Sequence, residues 1–177
     1  MFAIERAAMK FRTLTIDDAP ALLEFELANR AWFEQTVLKR EEPVYTPKGI
    51  VTHVLGCLAD FERGTMHPNV MLDVDGRIAG RANLKDIDHS HRSAEVGYRI
   101  AREYGGQGCA TAALRFLQQL AYEQWKLRGL QAYVTVDNPA SARVLEKCGF
   151  LRHEFLPQRS LVQDRLLDGY RYAHVPN

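Results

Sequence analysis

Apolar and polar positions in the first third of the chain predict a strand followed by two amphipathic helices. Residues 11–15, FRTLT, are predicted to form a short strand. The stretch after it has helical period, with Thr15 or Asp17 available as a cap and Pro20 in the first turn. Its predicted buried stripe consists of Ala19, Leu22, Leu23 and Leu27. A second helix is predicted from about Lys48 to Arg63, ended by Gly64.

The middle of the chain changes to a period of two. Two β-rich runs flank Asp75-Gly76, a dipeptide typical of a tight hairpin turn, and a further strand is predicted over residues 93–100. From Gln107 the period is helical again, and Gly129 is the predicted end of that helix. Its predicted inner face consists of Ala110, Ala113, Leu114, Leu117 and Ala121.

The last third of the chain predicts a buried strand, a capped helix and two more strands. Residues 130–136 are almost continuously apolar, as in a strand covered on both faces. A helix follows, with Asn138 as N-cap, Pro139 in its first position and Gly149 at its end. Strands over about 150–156 and 161–175, the latter turning at Asp168-Gly169, complete an α/β chain with a mixed central sheet flanked by helices.

Composition narrows the class of protein. The chain has 177 residues, enough for one domain, and no linker or repeat divides it. A formal net charge of +1 provides no global attraction for nucleic acid, and no apolar run is long enough to cross a membrane or serve as a secretory signal. A cytoplasmic protein is therefore expected. The three cysteines show neither disulfide nor zinc spacing, and the pair His89 and His91 lacks further ligands, so no metal site is expected.

The segment VGYRIAREYGGQGCATAALRFL combines a strand, a glycine-rich turn and an amphipathic helix. Gly106 and Gly108 allow backbone N–H groups to approach an anion at the positive end of the helix dipole. A dinucleotide fingerprint would need glycine where Thr111 stands, and the Gly-Lys-Ser/Thr of a P-loop is absent. The turn is thus either a phosphate cradle or an ordinary connection between a strand and a helix.

A second motif, VTVDNPASARVLEKCGF, follows at the end of the next strand. Together, in this order, the two motifs resemble the GCN5-related N-acetyltransferases (GNAT), most closely the ribosomal-protein alanine acetyltransferase-like branch. The resemblance extends from about Met9 to Val175. It implies one N-acetyltransferase domain over 1–177, with central strands that splay apart to form an acetyl-CoA cleft.

The resemblance also implies roles for particular residues. Those expected to contact acetyl-CoA are Tyr98, Arg99, Ile100, Gly105, Gly106, Gln107, Gly108, Cys109, Ala110, Thr111 and Asn138. Glu95 is expected to be the general base, with water or the histidine loop as alternatives, and Ser141 the general acid. The sequence departs from the family pattern at Gly105, where Arg or Gln is usual, and at Leu145, where many relatives carry a tyrosine acid.

The acceptor is left open by the sequence. The resemblance implies a primary amine, first of all the N-terminal α-amine of a ribosomal or other protein. A small-molecule acetyltransferase and a coenzyme-A-binding module without turnover are the alternatives. Seven acidic and three basic residues between Asp17 and Glu42 indicate either an acidic rim that attracts a cationic amine or ordinary solvated helix faces. Monomer and homodimer are both compatible with the sequence.

Cys109 begins the predicted helix after the glycine turn, and this position bears on the reactivity of its thiol. A helix N-terminus favours a thiolate, which predicts a lowered pKa and a reactive thiol. The alternative is a side chain turned into the core as a small apolar group.

Overall fold

The computed structural model describes residues 9–35 and 39–176. The seven strands are β1 Lys10–Thr13, β2 His67–Leu72, β3 Ile78–Asp88, β4 Ser93–Ile100, β5 Gly129–Thr135, β6 Leu151–Val162 and β7 Arg165–His174. The four α-helices are α1 Ala19–Phe33, α2 Pro47–Glu62, α3 Cys109–Gln119 and α4 Pro139–Lys147. Within the described ranges, no helix is both long and apolar enough to cross a membrane.

All seven strands form one sheet in the order β1-β2-β3-β4-β5-β7-β6. Every neighbouring pair is antiparallel except β4 and β5, which are parallel. Their pairing covers only Ser93↔Gly129, Ala94↔Leu130 and Glu95↔Gln131, and beyond Glu95 the two strands diverge. The predicted mixed sheet with splayed central strands is confirmed.

Helices cover both faces of the sheet. On the α1–α2 face, Leu22, Ile50 and Val54 pack in a core with Val70 of β2. On the α3–α4 face, a larger core joins Leu114 and Leu117 of α3 to Leu84, Val96 and Phe150. Successive side chains of a strand point to opposite faces, so β3 and β4 supply groups to both layers.

Several local predictions are confirmed. Gly76, with φ at +80°, forms the turn between β2 and β3, and Gly64 and Gly149 end their helices with φ at +71° and +83°. The Asn138 side chain accepts a hydrogen bond from the backbone N–H of Ser141 and so caps α4. A single 3-10 turn, Ile16–Asp18, precedes α1, and Thr15 N–H donates to the Asp18 carboxylate there.

The predicted inner stripe of α1 is wrong at Leu27, which is 49% exposed. Phe25 and Glu26 lie on the buried side instead. Hydrophobic periodicity placed the stripe on apolar residues alone, and it could not anticipate that a carboxylate would be buried among cations.

The end of the third helix is also corrected. Helix α3 ends at Gln119 and continues as a π-helical turn, Leu120–Gln124, whereas Gly129 is the first residue of β5. The Trp125 indole N–H donates to His67 Nδ1 at 2.8 Å, and Leu127 N–H donates to the Ala121 carbonyl. These long-range and local bonds end the helix before the glycine is reached.

The last hairpin turns at Gln163 and Asp164, both with positive φ, and not at Asp168-Gly169. Gly169 lies inside β7, between Thr135 of β5 and Leu156 of β6. A Cβ at this position would lie 2.9 Å from the Val134 carbonyl oxygen, so glycine is needed here for β7 to pack closely against β5.

Candidate active site

A cleft of about 1000 Å³ opens where β4 and β5 diverge. Its walls include the glycine turn, the start of α4, the diverging ends of both strands and side chains of α1 and α2. The cleft therefore reaches both faces of the sheet. This volume lies in the range of pockets that hold small ligands and cofactors.

The glycine turn forms one end of the cleft. A 3-10 turn, Arg102–Tyr104, leads into it, and Gly106 and Gly108 adopt φ of +73° and +84°. The Ala112 N–H is bonded to the Gly108 carbonyl, so the preceding N–H groups of the first turn of α3 have no intrahelical acceptor. Together with the helix dipole they provide a site for an anion, and Arg102, Arg143 and Lys147 also line the cleft.

Of the residues expected to contact acetyl-CoA, the structure brings all but one to the cleft wall. The exception is Gln107, whose side-chain amide donates to the Glu103 carbonyl at 2.6 Å and so bonds back to the preceding turn. Gly105 has φ of −63°, and a Cβ there would lie 3.0 Å from the Arg102 carbonyl oxygen. A larger side chain at this position would therefore require a small shift of the turn.

The expectation of a reactive Cys109 is wrong. Its side chain is turned into the core, with 7% of the residue exposed. Burial raises the pKa of the Cys109 thiol, because desolvation of the thiolate outweighs the backbone hydrogen bond that favours it.

On the α3–α4 face, the hydroxyl groups of Tyr98 and Ser141 meet at 2.9 Å. Tyr98 projects from β4, and Ser141 lies in the first turn of α4, positioned by the Asn138 cap. Burial raises the pKa of Tyr98 to about 12, despite the Ser141 hydrogen bond that lowers it. The tyrosine therefore stays protonated near neutral pH and can donate to Ser141. Leu145, one turn after Ser141 on α4, is buried and also lines the cleft.

Glu95 occupies the α1–α2 face of the same strand. Its carboxylate forms an ion pair with Lys85 of β3 at 2.5 Å, and the two residues are directly opposite in the strand register. The ion pair thus positions the Glu95 carboxylate in the wall of the cleft.

The two histidines considered as alternative bases bond outside the cleft. His89 Nε2 lies 2.8 Å from the Gly64 carbonyl oxygen, and His91 Nδ1 lies 2.7 Å from an Asp88 carboxylate oxygen. Neither side chain lines the cleft, so the geometry favours Glu95 over the histidine loop.

Glu26 of α1 is the centre of a charge cluster that sequence analysis did not find. It is 1% exposed, and its carboxylate lies 3.0 Å from Arg99 Nη1 and 3.0 Å from Arg40 Nη2. The Arg99 contact is a hydrogen bond, whereas the Arg40 contact is an ion pair without hydrogen-bond geometry. Arg81, also in the cleft wall, is buried beside this pair.

The acidic rim suggested by residues 17–42 is largely neutralised by internal pairing. Asp18 pairs with Arg12, and Glu34 and Glu42 pair with Arg30. Among described residues that line the cleft, eight are Lys or Arg and one, Glu95, is acidic. One sequence signal for this was available, since Arg81, Asn83 and Lys85 alternate with Ala82 and Leu84 along one strand.

His53 of α2 faces the same cluster. Burial first, and then the nearby Arg40 and Arg81 cations, lower its pKa to about 4. His53 is therefore uncharged at neutral pH and adds no further positive charge to the cleft.

Known proteins resemble this chain in sequence and structure. A family model described as an acetyltransferase (GNAT) domain matches residues 9–151. The chain is 30% identical over 141 residues to a probable N-acetyltransferase, YjcK, of Bacillus subtilis (strain 168), covering 78% of each protein. It is 26% identical over 147 residues to the ribosomal-protein-serine acetyltransferase of Escherichia coli (strain K12), covering 83% of this chain and 81% of that protein.

Two further similar proteins are named with a bound coenzyme A or with the amine that they acetylate. The structure of Mycobacterium smegmatis RimJ in complex with CoA-disulfide matches with a TM-score of 0.89 at 25% identity, covering 96% of this chain and 83% of that one. The chain is also 28% identical over 99 residues to the spermidine N(1)-acetyltransferase of Vibrio cholerae serotype O1, covering 56% of this chain and 57% of that protein.

The low pKa of His53 makes stability depend on pH. Between the ordinary value of 6.5 and about 4, the unfolded chain binds a proton that the folded chain does not. The contribution of neutral His53 to the free energy of unfolding is thus complete above pH 6.5 and is lost as the pH falls toward 4.

We expect the wild type to lose more unfolding free energy between about pH 7 and about pH 4.5 than His53→Gln does, measured by urea denaturation. His153→Gln, at an exposed position of β6, is the control and should behave as wild type. Equal losses in wild type and His53→Gln would contradict the assignment.

Proposed function

The chain belongs to the GNAT acetyltransferase family and is an N-acetyltransferase, and we propose that its acceptor is the N-terminal α-amine of a protein or peptide. The observation that supports this most is the cleft itself, because it joins an anion-binding turn on one face of the sheet to a polar wall on the other. Acetyl donor and amine can therefore approach each other from opposite faces through the gap between β4 and β5.

Acetyl-CoA supplies a thioester, whose C–S bond breaks as a new C–N bond forms to the amine. The residues present fit this donor. The N–H groups at the start of α3, with Gly106 and Gly108, are proposed to bind the pyrophosphate. The edge of β4 from Tyr98 to Ile100, which β5 leaves unpaired, is proposed to bind the pantetheine arm and the thioester carbonyl through backbone N–H groups.

Proton movements are assigned to both faces of β4. Glu95 is proposed to take the proton that the amine loses as the C–N bond forms, directly or through a water. Ser141 is proposed to donate a proton to the departing sulfur, and Tyr98 to re-supply it through the 2.9 Å contact between the hydroxyls. This pair stands in for the tyrosine that Leu145 replaces.

The charge of the cleft disfavours a polyamine acceptor. Arg40, Arg81 and Arg99 face the acceptor side with the single buried carboxylate of Glu26, and a polycation would be repelled there. This is why a peptide amine is preferred over spermidine, although three similar proteins are named spermidine N(1)-acetyltransferases.

One experiment separates the candidate functions. Purified protein is incubated with acetyl-CoA and either N-terminal peptides, spermidine, or free amino acids, and released thiol is measured. Thiol release with peptides supports the proposal. Release with spermidine or amino acids alone would assign a small-molecule enzyme. No thiol release above background with any of the amines would indicate a coenzyme-A-binding module without turnover.

Acetyl-CoA should stabilise the protein against heat, because it binds the folded chain alone. At a hundred times its dissociation constant the stabilisation is about 2.7 kcal/mol, which corresponds to a shift of about 5–10 °C for a chain of this size. Gly108→Ala should lose most of that shift, because a methyl group would block the approach of phosphate. Gly76→Ala is the matched control, since Gly76 has φ of +80° but lies in the β2–β3 turn with nothing near its added Cβ. If acetyl-CoA still raises the Tm of Gly108→Ala by the full amount, the glycine turn only connects β4 to α3 and does not bind phosphate.

Ser141→Ala should lower kcat by about 10²-fold, at the low end of the range for acid–base groups, while the affinity for acetyl-CoA changes little. Tyr98→Phe should show a smaller loss of kcat, because Ser141 keeps its own proton. Ser160→Ala, at another half-buried serine of the cleft wall, is the control. Steady-state kinetics and titration of acetyl-CoA make the comparison. A loss confined to affinity would assign Ser141 to binding.

Glu95→Gln should lower kcat/KM by about 10²-fold, since an amide cannot accept the amine's proton. Lys85→Gln removes the ion-pair partner but keeps the carboxylate, so it is the control and should retain most of the activity. Both variants are compared with the wild type on one peptide substrate at one pH. An unchanged kcat/KM in Glu95→Gln would assign proton removal to water.

A further inference from the structure

Arg81 is a buried cation whose hydrogen-bonding groups are mostly unused. The residue is 1% exposed, and its Nη2 reaches the Asn83 side-chain oxygen only at 3.4 Å. Its Nε and Nη1 have no acceptor within the part of the chain that the structure describes. The Cys57 side chain is a further neighbour, but Asn83 and Cys57 are weak partners for a cation. A buried guanidinium with so few acceptors is costly, so the position calls for a group that would bind it.

The surroundings of Arg81 increase that cost. Arg99 is its direct partner in the β3–β4 register, and like charges directly opposite in a sheet are destabilising. Arg40 is the third cation of the cluster, and burial together with the Arg40 charge lowers the pKa of Arg81. Among the residues that the structure describes, Glu26 is the one carboxylate that contacts the cluster, and it pairs with Arg40 and Arg99.

The balance of charge in the cluster is therefore +2, from three guanidinium groups and one carboxylate. His53 does not change it, because its lowered pKa leaves it neutral. Arg40 also has a buried Nε without an acceptor among the described residues. Two guanidinium groups thus present unused donors beside the same cleft, an arrangement suited to a carboxylate.

The position of the cluster limits where such a carboxylate lies in the acceptor. Arg81 is on β3, which is the neighbour of β4 on the side away from β5, and adjacent strands lie about 4.8 Å apart. The amine must reach the far edge of β4, where β5 diverges. The α-carboxylate of a free amino acid is only two bonds, about 2.5 Å, from its amine. An acidic side chain in the first residues of a peptide spans a larger distance.

We propose that Arg81, with Arg40, forms a subsite that binds an acidic side chain within about the first three residues of the acceptor peptide. The subsite deepens the proposed function and rests on it. Acceptors with Asp or Glu near the N-terminus are selected because the carboxylate satisfies the donors that the folded chain leaves unused. Peptides with Lys in these positions are rejected by the same charges.

The test compares matched peptides that differ at one position. Each peptide begins with Ser and carries Glu, Gln or Lys at position 2 or 3, and kcat/KM is measured with acetyl-CoA for each. The wild type should prefer Glu over Gln by about tenfold at one or more positions, the worth of one good charged hydrogen bond, and should use Lys least. Free glutamate is included as an acceptor in place of the peptide.

Variants identify the residue responsible. Arg81→Met should reduce the Glu-over-Gln preference to within about twofold while activity on the Gln peptide persists, because only the charge-dependent contact is removed. Arg63→Met, at an exposed cation outside the cleft, is the control and should keep the preference. If Arg81→Met fails to fold, Arg40→Met and the salt dependence of the wild-type preference test the same subsite.

The outcomes separate this proposal from the proposed function. Equal rates for the Glu and Gln peptides, or a preference that persists in Arg81→Met, would overturn the subsite and leave peptide acetylation standing. Acetylation of no peptide, with acetyl-CoA binding intact, would overturn both. A preference for free glutamate over every peptide would replace the peptide with a small molecule.

Discussion

The short parallel pairing between β4 and β5 is the constraint on which the site depends. Only three residue pairs, ending at Glu95↔Gln131, join these strands, although each strand continues for several residues. The antiparallel pairs on either side are longer and keep the two halves of the sheet intact. A gap in the middle of a sheet leaves backbone groups unpaired, and such groups must find partners elsewhere. At the end of β4 part of this need is met by α1, where the Trp32 indole donates to the Ile100 carbonyl and the Asn29 side chain accepts from Arg102 N–H.

Strand alternation divides the chemistry of the cleft between the two faces. Tyr98 of β4 points toward α4 and meets Ser141, whereas Glu95 and Arg99 on the same strand point toward α1 and α2. In the proposed mechanism, one strand thereby supplies groups for the leaving sulfur and groups for the incoming amine. The division follows from the period of two along a strand and needs no special backbone.

Charge is distributed unevenly along this cleft. We propose that the cations near the glycine turn pair with the phosphates of coenzyme A. In the cluster around Glu26, that carboxylate pairs with Arg40 and Arg99, whereas Arg81 keeps donors that have no acceptor among the described residues. A buried charge of this kind lies where low dielectric strengthens every interaction, so it has a large effect on which group binds beside it. We therefore expect selectivity to come from the α1–α2 face, and the donor to bind the α3–α4 face and the backbone.

Local sequence determined much of the fold. Turn chemistry at Asp75-Gly76, the cap at Asn138 and the helical periods of α2 and α3 are properties of a few neighbouring residues, and each was predictable from them. The two motifs around Gly106 and Ser141 were likewise sufficient to indicate the family, whereas the donor-side residues that they indicate stay a prediction. Gly169 and Gly129 were not predictable in this way, because a glycine that serves close strand packing has the same local signature as one that ends a helix or turns a hairpin.

Tertiary structure alone decided the acceptor side. Glu26, Arg40, Arg81 and Arg99 are far apart in the sequence, and each by itself is compatible with a solvated surface charge. Their meeting depends on the packing of α1 against β3 and β4, which no local pattern specifies. The same holds for Cys109, where a helix N-terminus predicted an acidic thiol and burial reversed the direction of the shift. Spacing along a chain specifies which groups share a helix or strand face, whereas burial and long-range contacts set their charge, partners and protonation.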